Sequence, residues 1–278
     1  MRFRTMLCAV GPQSPERDLA AALRLCEANR AHLSVLVLGI EPPPPLGEYA
    51  MVAETWVLER EEAAKTLAKE AAAVSEILAE SDVSTDLDCR LAEQAAVASE
   101  VGRHALYADL VFVGPELARS SEPFKAATLK GALFEAQRPV LMAPQAGDAT
   151  LQPKRVLVAW SSHAEAARAV REGIEILAAA EMVHVTMVDP VASEWGDGPE
   201  PGADIATYLT RHGARVTVDR LPSGGNPPAD VLRQHATDVE ADMIMMGAYG
   251  HSRLREWIFG GVTRSMIEAP QLSLFLGR

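Results

Sequence analysis

Short apolar runs alternate with longer amphipathic stretches along most of the chain. A short apolar run between polar, glycine or proline residues is typical of a buried strand, whereas apolar residues spaced by three and four indicate a helix. Strands that alternate with helices form parallel βαβ units, so the pattern predicts an α/β fold. The predicted strands are Thr5–Val10, Leu33–Leu38, Val83–Cys89, Leu110–Val113, Pro139–Met142, Arg155–Trp160, Val183–Val188, Ala214–Val218, Asp242–Met246 and Gln271–Leu276.

The stretches between these strands carry helix signals. Ser14 and Pro15 suit the N-cap and first position of the first helix. Proline-rich residues 42–45 predict a stiff turn before the longest helix. Further helices are predicted at Leu46–Glu80, Ala92–Leu106, Phe124–Ala136, His163–Ala179, Asp204–His212 and Ala229–Thr237, and a last one carries apolar positions from Leu254 to Met266.

The order of elements restarts near residue 154, and the two halves share short segments. The matching pairs are Leu7–Val10 with Leu157–Trp160, Ala108–Gly114 with Ala241–Gly247, and Arg138–Leu141 with Ala269–Leu272. We therefore predict two tandem doubly wound parallel-sheet domains, near residues 1–146 and 154–278, joined by the polar segment 147–153.

Composition narrows the range of functions. The 278 residues carry a formal net charge of −12, which argues against a nucleic-acid or anionic-membrane surface because both require clustered basic residues. No apolar run reaches the roughly 18–20 residues of a membrane span, and no secretory signal is evident. Cys8, Cys26 and Cys89 lack metal-type spacing, which favours buried free thiols in a cytoplasmic protein.

A glycine pattern near the C-terminus is the strongest motif in the chain. The strand ending at Met246 runs into Gly247 and Gly250, and after nine intervening residues Gly260 and Gly261 stand in the helix pattern. Strand, glycine loop and helix is a geometry that holds phosphate, since glycines let the backbone approach an anion and helix-start N–H groups attract it. The alternative is a tight strand–helix turn with glycines needed only for packing.

This G-x2-G-x9-G stretch resembles the nucleotide motif of the ATP-binding universal stress proteins. The resemblance implies strand order 3-2-1-4-5 in each domain and packing of the two domains as a pseudo-dimer through their last strands. It also implies ATP or ADP, with Mg²⁺, in the C-terminal domain. A family Ser or Thr is replaced by Gly261, although Thr263 lies two residues further on.

The same resemblance assigns contacts around the crevice between the first and fourth strands. Ser161 stands where relatives carry an aspartate that contacts the ribose, and Ala159 and Met187 match adenine-side positions. The predicted nucleotide-binding residues are Ala159, Ser161, Met187, Gly247, Gly250, Gly260, Gly261, Val262 and Thr263.

The N-terminal domain lacks the corresponding glycine pattern. Pro115 and Glu116 follow Gly114, so the second glycine is absent and a carboxylate would meet phosphate. We therefore predict a degenerate domain without a nucleotide site.

The histidines give no catalytic prediction. His163, His184, His212 and His235 are dispersed in the sequence, without a nearby cysteine or paired carboxylate, so neither a metal site nor a catalytic triad is predicted. An ATP-consuming enzyme lacks an evident general base. Two functions stay open, a nucleotide-binding stress-response protein and an interaction protein of the same fold without nucleotide. The sequence names no protein partner and leaves a homodimer open.

Overall fold

The computed structural model describes residues 3–11, 16–43, 50–120, 123–192, 198–248 and 261–278, with only the backbone considered for residues 50–53. The chain forms two compact units, one of residues 3–138 and one that contains residues 139–278. None of the described helices combines the length and the apolar character needed to cross a bilayer.

The N-terminal unit is a parallel sheet with helices between its strands. Its strands follow the spatial order β3-β2-β1-β4, which is the 3-2-1-4 part of the predicted order. In chain order the elements are β1 (Thr5–Val10), α1 (Glu16–Asn29), β2 (His32–Glu41), α2 (Ala50–Ala79), β3 (Thr85–Glu93), α3 (Val97–Ala105), β4 (Leu110–Val113), α4 (Pro115–Arg119) and α5 (Pro123–Lys130).

Burial on both faces explains why the central strands of this unit read as continuous apolar runs. Every residue of β4 is buried, and so are five of the six residues of β1. Leu19, Ala22 and Cys26 of α1 are buried at the three- and four-residue spacing of one helix face. Because parallel strands are covered on both sides, alternation of polar and apolar residues is lost there.

The C-terminal unit has one more strand than a single predicted domain. Strands β8-β7-β6-β9-β10 are parallel neighbours in that order, which confirms the order 3-2-1-4-5. In chain order the elements are β5 (Val140–Met142), β6 (Arg155–Ala159), α6 (Ala164–Glu172), α7 (Ile174–Ala179), β7 (Met182–Val188), α8 (Ala203–Arg211), β8 (Val216–Leu221), α9 (Pro228–Asp238), β9 (Met243–Gly247), α10 (Gly261–Glu268) and β10 (Ser273–Gly277).

Strand β5 covers the edge of this sheet. It pairs antiparallel with β10, with Val140 opposite Leu276 and Met142 opposite Leu274. All four of these side chains are at most 2% exposed. The predicted strands 139–142 and 271–276 thus pair with each other inside this unit, whereas the packing of two domains as a pseudo-dimer stays a prediction. The domain limits 1–146 and 154–278 stay a prediction. By its pairing, β5 groups with the C-terminal unit.

Four helical segments differ from their predicted form. The predicted helix 92–106 begins only at Val97, because β3 continues to Glu93 and residues 94–96 form a 3-10 turn. The predicted helix 163–179 is divided at Gly173, where a Cβ would overlap the Cε of Met245 on β9. The predicted helix 124–136 leaves α-helical geometry after Lys130, and residues 131–135 form a wider π-type turn. Helix α4 was not predicted, because a five-residue helix is too short to show periodicity.

Candidate functional site

The carboxyl ends of β6 and β9 lie side by side in the C-terminal sheet. Ala159, the last residue of β6, is opposite Met246 of β9 on one side and Thr186 of β7 on the other. From β6 the chain continues to β7, and from β9 it continues to β10, so the strand order reverses between these two neighbours. Ligands of open α/β sheets bind at such a reversal.

Ser161 lies on the β6 side of this reversal. It is exposed, and its carbonyl accepts a hydrogen bond of 2.7 Å from the N–H of His163, just before α6 begins. The serine therefore stands in a short turn between strand end and helix start. A hydroxyl at this place can donate or accept a hydrogen bond but brings no charge.

Gly247 is explained by helix packing. A Cβ on this residue would lie 2.5 Å from the backbone nitrogen of Ala166 and 2.6 Å from the carbonyl carbon of Glu165. Side-chain movement cannot relieve contacts with backbone atoms. The first turn of α6 can thus lie this close to β9 only when position 247 carries no side chain.

Gly261, at the start of α10, differs from Gly247 in that packing against described atoms does not require a glycine there. Gly261 is exposed, and no described atom lies within 4 Å of the position that its Cβ would take. Val262 is half-buried, and Thr263 is 6% exposed. Among the described residues, Gly261, Val262 and Thr263 form the first turn of α10, and the twelve residues before them lie outside the described part of the chain. Gly250 and Gly260 lie outside the described residues.

The β7 side of the crevice is ordered by an aspartate. Asp189 has a left-handed φ of 47° and its carboxylate accepts the N–H of Ser223 at 2.8 Å. Hydrogen bonds from the side chain and backbone of Ser223 lower the pKa of Asp189 below its ordinary range. Met187, two residues earlier, is only 2% exposed, so a ligand would meet its backbone before its side chain.

Comparison with known proteins decides the family of this half of the chain. Residues 153–273 match the model of the universal stress protein family. The C-terminal half is a universal stress protein domain. No curated protein matches the sequence significantly.

Solved structures extend the likeness to the whole chain. A universal stress protein from Archaeoglobus fulgidus DSM 4304 is 17% identical, with a TM-score of 0.67 over 100% of this chain and 99% of that one. A Pseudomonas aeruginosa UCBPP-PA14 protein, provisionally assigned to the same family, is 14% identical, with a TM-score of 0.59 over 99% of this chain and 92% of that one. At this level of identity the likeness shows the fold, which both halves share with universal stress proteins.

In the N-terminal unit, a carboxylate of the chain itself occupies the place after the fourth strand. Asp18 of α1 accepts the backbone N–H of Glu116 at 2.6 Å and that of Leu117 at 3.0 Å. Burial raises the pKa of Asp18, and the two backbone hydrogen bonds oppose that effect. Gly114 is needed here because a Cβ would overlap the Asp18 side chain. The donors that would face phosphate therefore already hold an internal anion.

The universal stress protein domain also contains a histidine cluster that sequence reasoning missed. His184 on β7 and His235 on α9 both contact Oδ2 of Asp219 on β8, His184 through Nδ1 and His235 through Nε2, each at 2.9 Å. The expectation of dispersed histidines without a carboxylate is wrong for these two. Strand pairing brings them together: β7 and β8 are neighbours, and α9 packs on β7. The sequence signal was weak, because the three residues are widely separated along the chain.

Proposed function

We propose that the protein is a stress-response protein of the universal stress family that binds one ATP or ADP, with Mg²⁺, in its C-terminal domain. The observation that carries the proposal is Gly261 in the first described turn of α10, which is exposed and has no described atom within 4 Å of the position of a Cβ. In the sequence it ends the glycine pattern Gly247, Gly250 and Gly260. This helix start follows one of the two strands between which the strand order reverses.

The phosphates would be bound mainly by backbone groups. In this proposal the N–H groups of Gly261, Val262 and Thr263 donate to phosphate oxygens, and the dipole of α10 favours their negative charge. Gly250 and Gly260 precede this turn in the sequence, and glycine is the residue that would permit a close approach of the backbone to the same oxygens. Magnesium would neutralise part of the phosphate charge, which a protein with a net charge of −12 does not otherwise favour.

The sugar and base would lie toward β6 and β7. Ser161 is exposed at the end of β6 and can hydrogen-bond a ribose hydroxyl. Ala159 and the backbone of Met187 would line the side of the pocket that contacts the adenine ring. Because serine replaces a charged acid, we expect this part of the site to contribute less affinity than in relatives with an aspartate.

One nucleotide per chain is expected because the N-terminal unit satisfies the equivalent donors itself. A phosphate there would have to displace the buried Asp18 carboxylate from two backbone N–H groups. It would also approach Glu116, whose carboxylate is paired with Arg17 at 2.7 Å.

The second candidate is an interaction protein that uses the same fold without nucleotide. The packing of Gly247 against α6 favours it, since this glycine is required whether or not phosphate binds. Ser161 in place of the acid points the same way. Nucleotide titration separates the two candidates.

The test compares two aspartates placed at equivalent positions of the two halves. Gly250→Asp puts a carboxylate in the proposed phosphate loop, where like charges repel strongly if water is excluded. Leu117→Asp is the matched control, because Leu117 takes the corresponding place after Gly114. A fluorescent ATP analogue should bind the wild type and the Leu117 variant alike and should not bind the Gly250 variant. Equal binding by both variants would show that the loop is not the site.

A further inference from the structure

We propose that His184, Asp219 and His235 bind a divalent transition-metal ion, with zinc as the best fit. These residues form the one group of three potential ligands that come together in the described part of the chain. Two imidazole nitrogens and one carboxylate oxygen form a donor set that zinc favours, and water can supply the fourth ligand. This site uses none of the residues assigned to the nucleotide.

The distances suit a small tetrahedral ion. The three ligand atoms lie within 4.8 Å of one another, and both imidazole–carboxylate distances are 2.9 Å. Zinc–ligand bonds of about 2.0–2.1 Å place tetrahedral ligand atoms about 3.3–3.4 Å apart. Both imidazole–carboxylate distances must therefore widen by a few tenths of an ångström to admit the ion, and the two imidazole nitrogens, which lie within 4.8 Å of each other, must reach the same separation.

The site is partly sheltered but open enough for entry. The side chains of His184, Asp219 and His235 are 14%, 18% and 16% exposed. Two ligands come from neighbouring strands and one from a covering helix, so the backbone that carries them is fixed by the sheet. In the free protein each imidazole directs a ring nitrogen to Asp219. On metal binding, that nitrogen gives up its proton to become the ligand, and the proton moves to the other ring nitrogen or to solvent.

The N-terminal unit provides an internal comparison. There His104 of α3 contacts Asp88 of β3 at 2.9 Å, in the same helix-to-strand arrangement as His235 and Asp219. Asp88 pairs with Leu36 in the strand register as Asp219 pairs with Thr186. A histidine–aspartate pair thus joins helix and strand in both halves and by itself needs no metal.

The third ligand is what distinguishes the C-terminal domain. Ser34 is opposite Leu7 in the register as His184 is opposite Leu157, so serine takes the place of His184 in the N-terminal unit. The Ser34 hydroxyl donates to Asp86 there, and the Asp88 oxygen that contacts His104 is also paired with the cation Arg90 at 2.8 Å. A cation in that place excludes a metal, whereas an imidazole can bind one.

The experiment uses full-length protein without an affinity tag, freed of metal by a chelator. Zinc is titrated by calorimetry, and cobalt is titrated by absorption, which reports tetrahedral coordination. We expect one zinc ion per chain and a tetrahedral cobalt spectrum. His184→Ser introduces the serine that the N-terminal unit carries at this position. It should weaken zinc binding by more than about 10–100-fold, which is the usual loss when a residue that only hydrogen-bonds a metal ligand is changed.

Two further variants keep the result interpretable. Asp219→Asn should weaken zinc binding to a similar degree. His104→Gln, which breaks the equivalent pair in the N-terminal unit, should bind zinc like the wild type. Circular dichroism checks that each variant is folded. Absence of zinc binding to the folded wild type, unchanged binding in His184→Ser, or equal loss in His104→Gln would each overturn the proposal.

Discussion

Two glycines of the same motif should respond in opposite ways to a single methyl group. In Gly247→Ala the new Cβ would lie 2.5 Å from the Ala166 nitrogen and 2.6 Å from the Glu165 carbonyl carbon. Both neighbours are backbone atoms of the first turn of α6, so the helix must shift as a whole. Overpacking of this kind costs about 1–3 kcal/mol. In Gly261→Ala, by contrast, the methyl group meets no described atom within 4 Å.

The second substitution should leave stability unchanged or increase it. Alanine favours a helix by up to about 1 kcal/mol over glycine, and less at a first position. If Gly261 serves phosphate, its alanine variant should keep its stability and lose nucleotide affinity, because the methyl group holds the phosphate away from the backbone. Gly247→Ala should lose stability first, with any loss of affinity secondary.

Calorimetric melting of both variants, followed by titration with ATP, measures the two effects separately. A change of about 1 kcal/mol shifts the melting temperature by about 2–4 °C in a chain of this size. We therefore expect a lower melting temperature for Gly247→Ala alone. Wild-type stability of Gly247→Ala would refute the packing argument, and a large destabilisation by Gly261→Ala would show that this glycine is structural.

Two other predictions concern buried contacts outside the proposed sites. Asp18→Ala removes the acceptor of two backbone N–H groups and should lower the free energy of unfolding by about 1–3 kcal/mol. Burial raises the pKa of Asp18 above 3.8, so its contribution to the free energy of unfolding is full below that pH and declines as pH rises through the folded pKa. Urea unfolding of Asp18→Ala should therefore show a smaller loss of stability at alkaline than at acidic pH. Leu141→Ala, in fully buried β5, should cost about 2–5 kcal/mol and speed amide hydrogen exchange in its partner β10, and unchanged exchange there would contradict the strand pairing.

The parallel sheets could be predicted because burial leaves a strong trace in the sequence. Strand β4 has the predicted limits, Leu110–Val113, since all four residues are buried and the flanking residues are polar or glycine. The repeated segments Arg138–Leu141 and Ala269–Leu272 also predicted the last strand of each half. Strand β8 was harder to place, and it begins two residues later than predicted, because its residues are half-buried or exposed.

Contacts between distant segments could not be predicted in the same way. The capping of α4 by Asp18 joins residues about a hundred positions apart, and neither end has a distinctive pattern. The cluster of His184, Asp219 and His235 requires the register of β7 and β8 together with the rotation of α9. A single residue of slip would turn Asp219 to the other face of the sheet. Such information is absent from local periodicity.

The two halves show how one fold can keep its scaffold and change its sites. After the fourth strand, the N-terminal unit places Asp18 on its own backbone donors, whereas the sequence of the C-terminal domain carries the glycine pattern at the corresponding position. At the helix-to-strand pair, the N-terminal unit adds Arg90 and the C-terminal domain adds His184. In both comparisons the polar groups of the N-terminal unit are satisfied by groups of the same unit.

Titration calorimetry of the wild-type protein with ATP and Mg²⁺ tests the central claim most directly. The proposed site in the C-terminal domain, together with the Asp18 carboxylate in the N-terminal unit, predicts saturable binding of one nucleotide per chain. Two equivalent sites would contradict the role given to Asp18 and Glu116. Absence of binding at millimolar ATP would contradict the nucleotide site itself and favour the interaction protein.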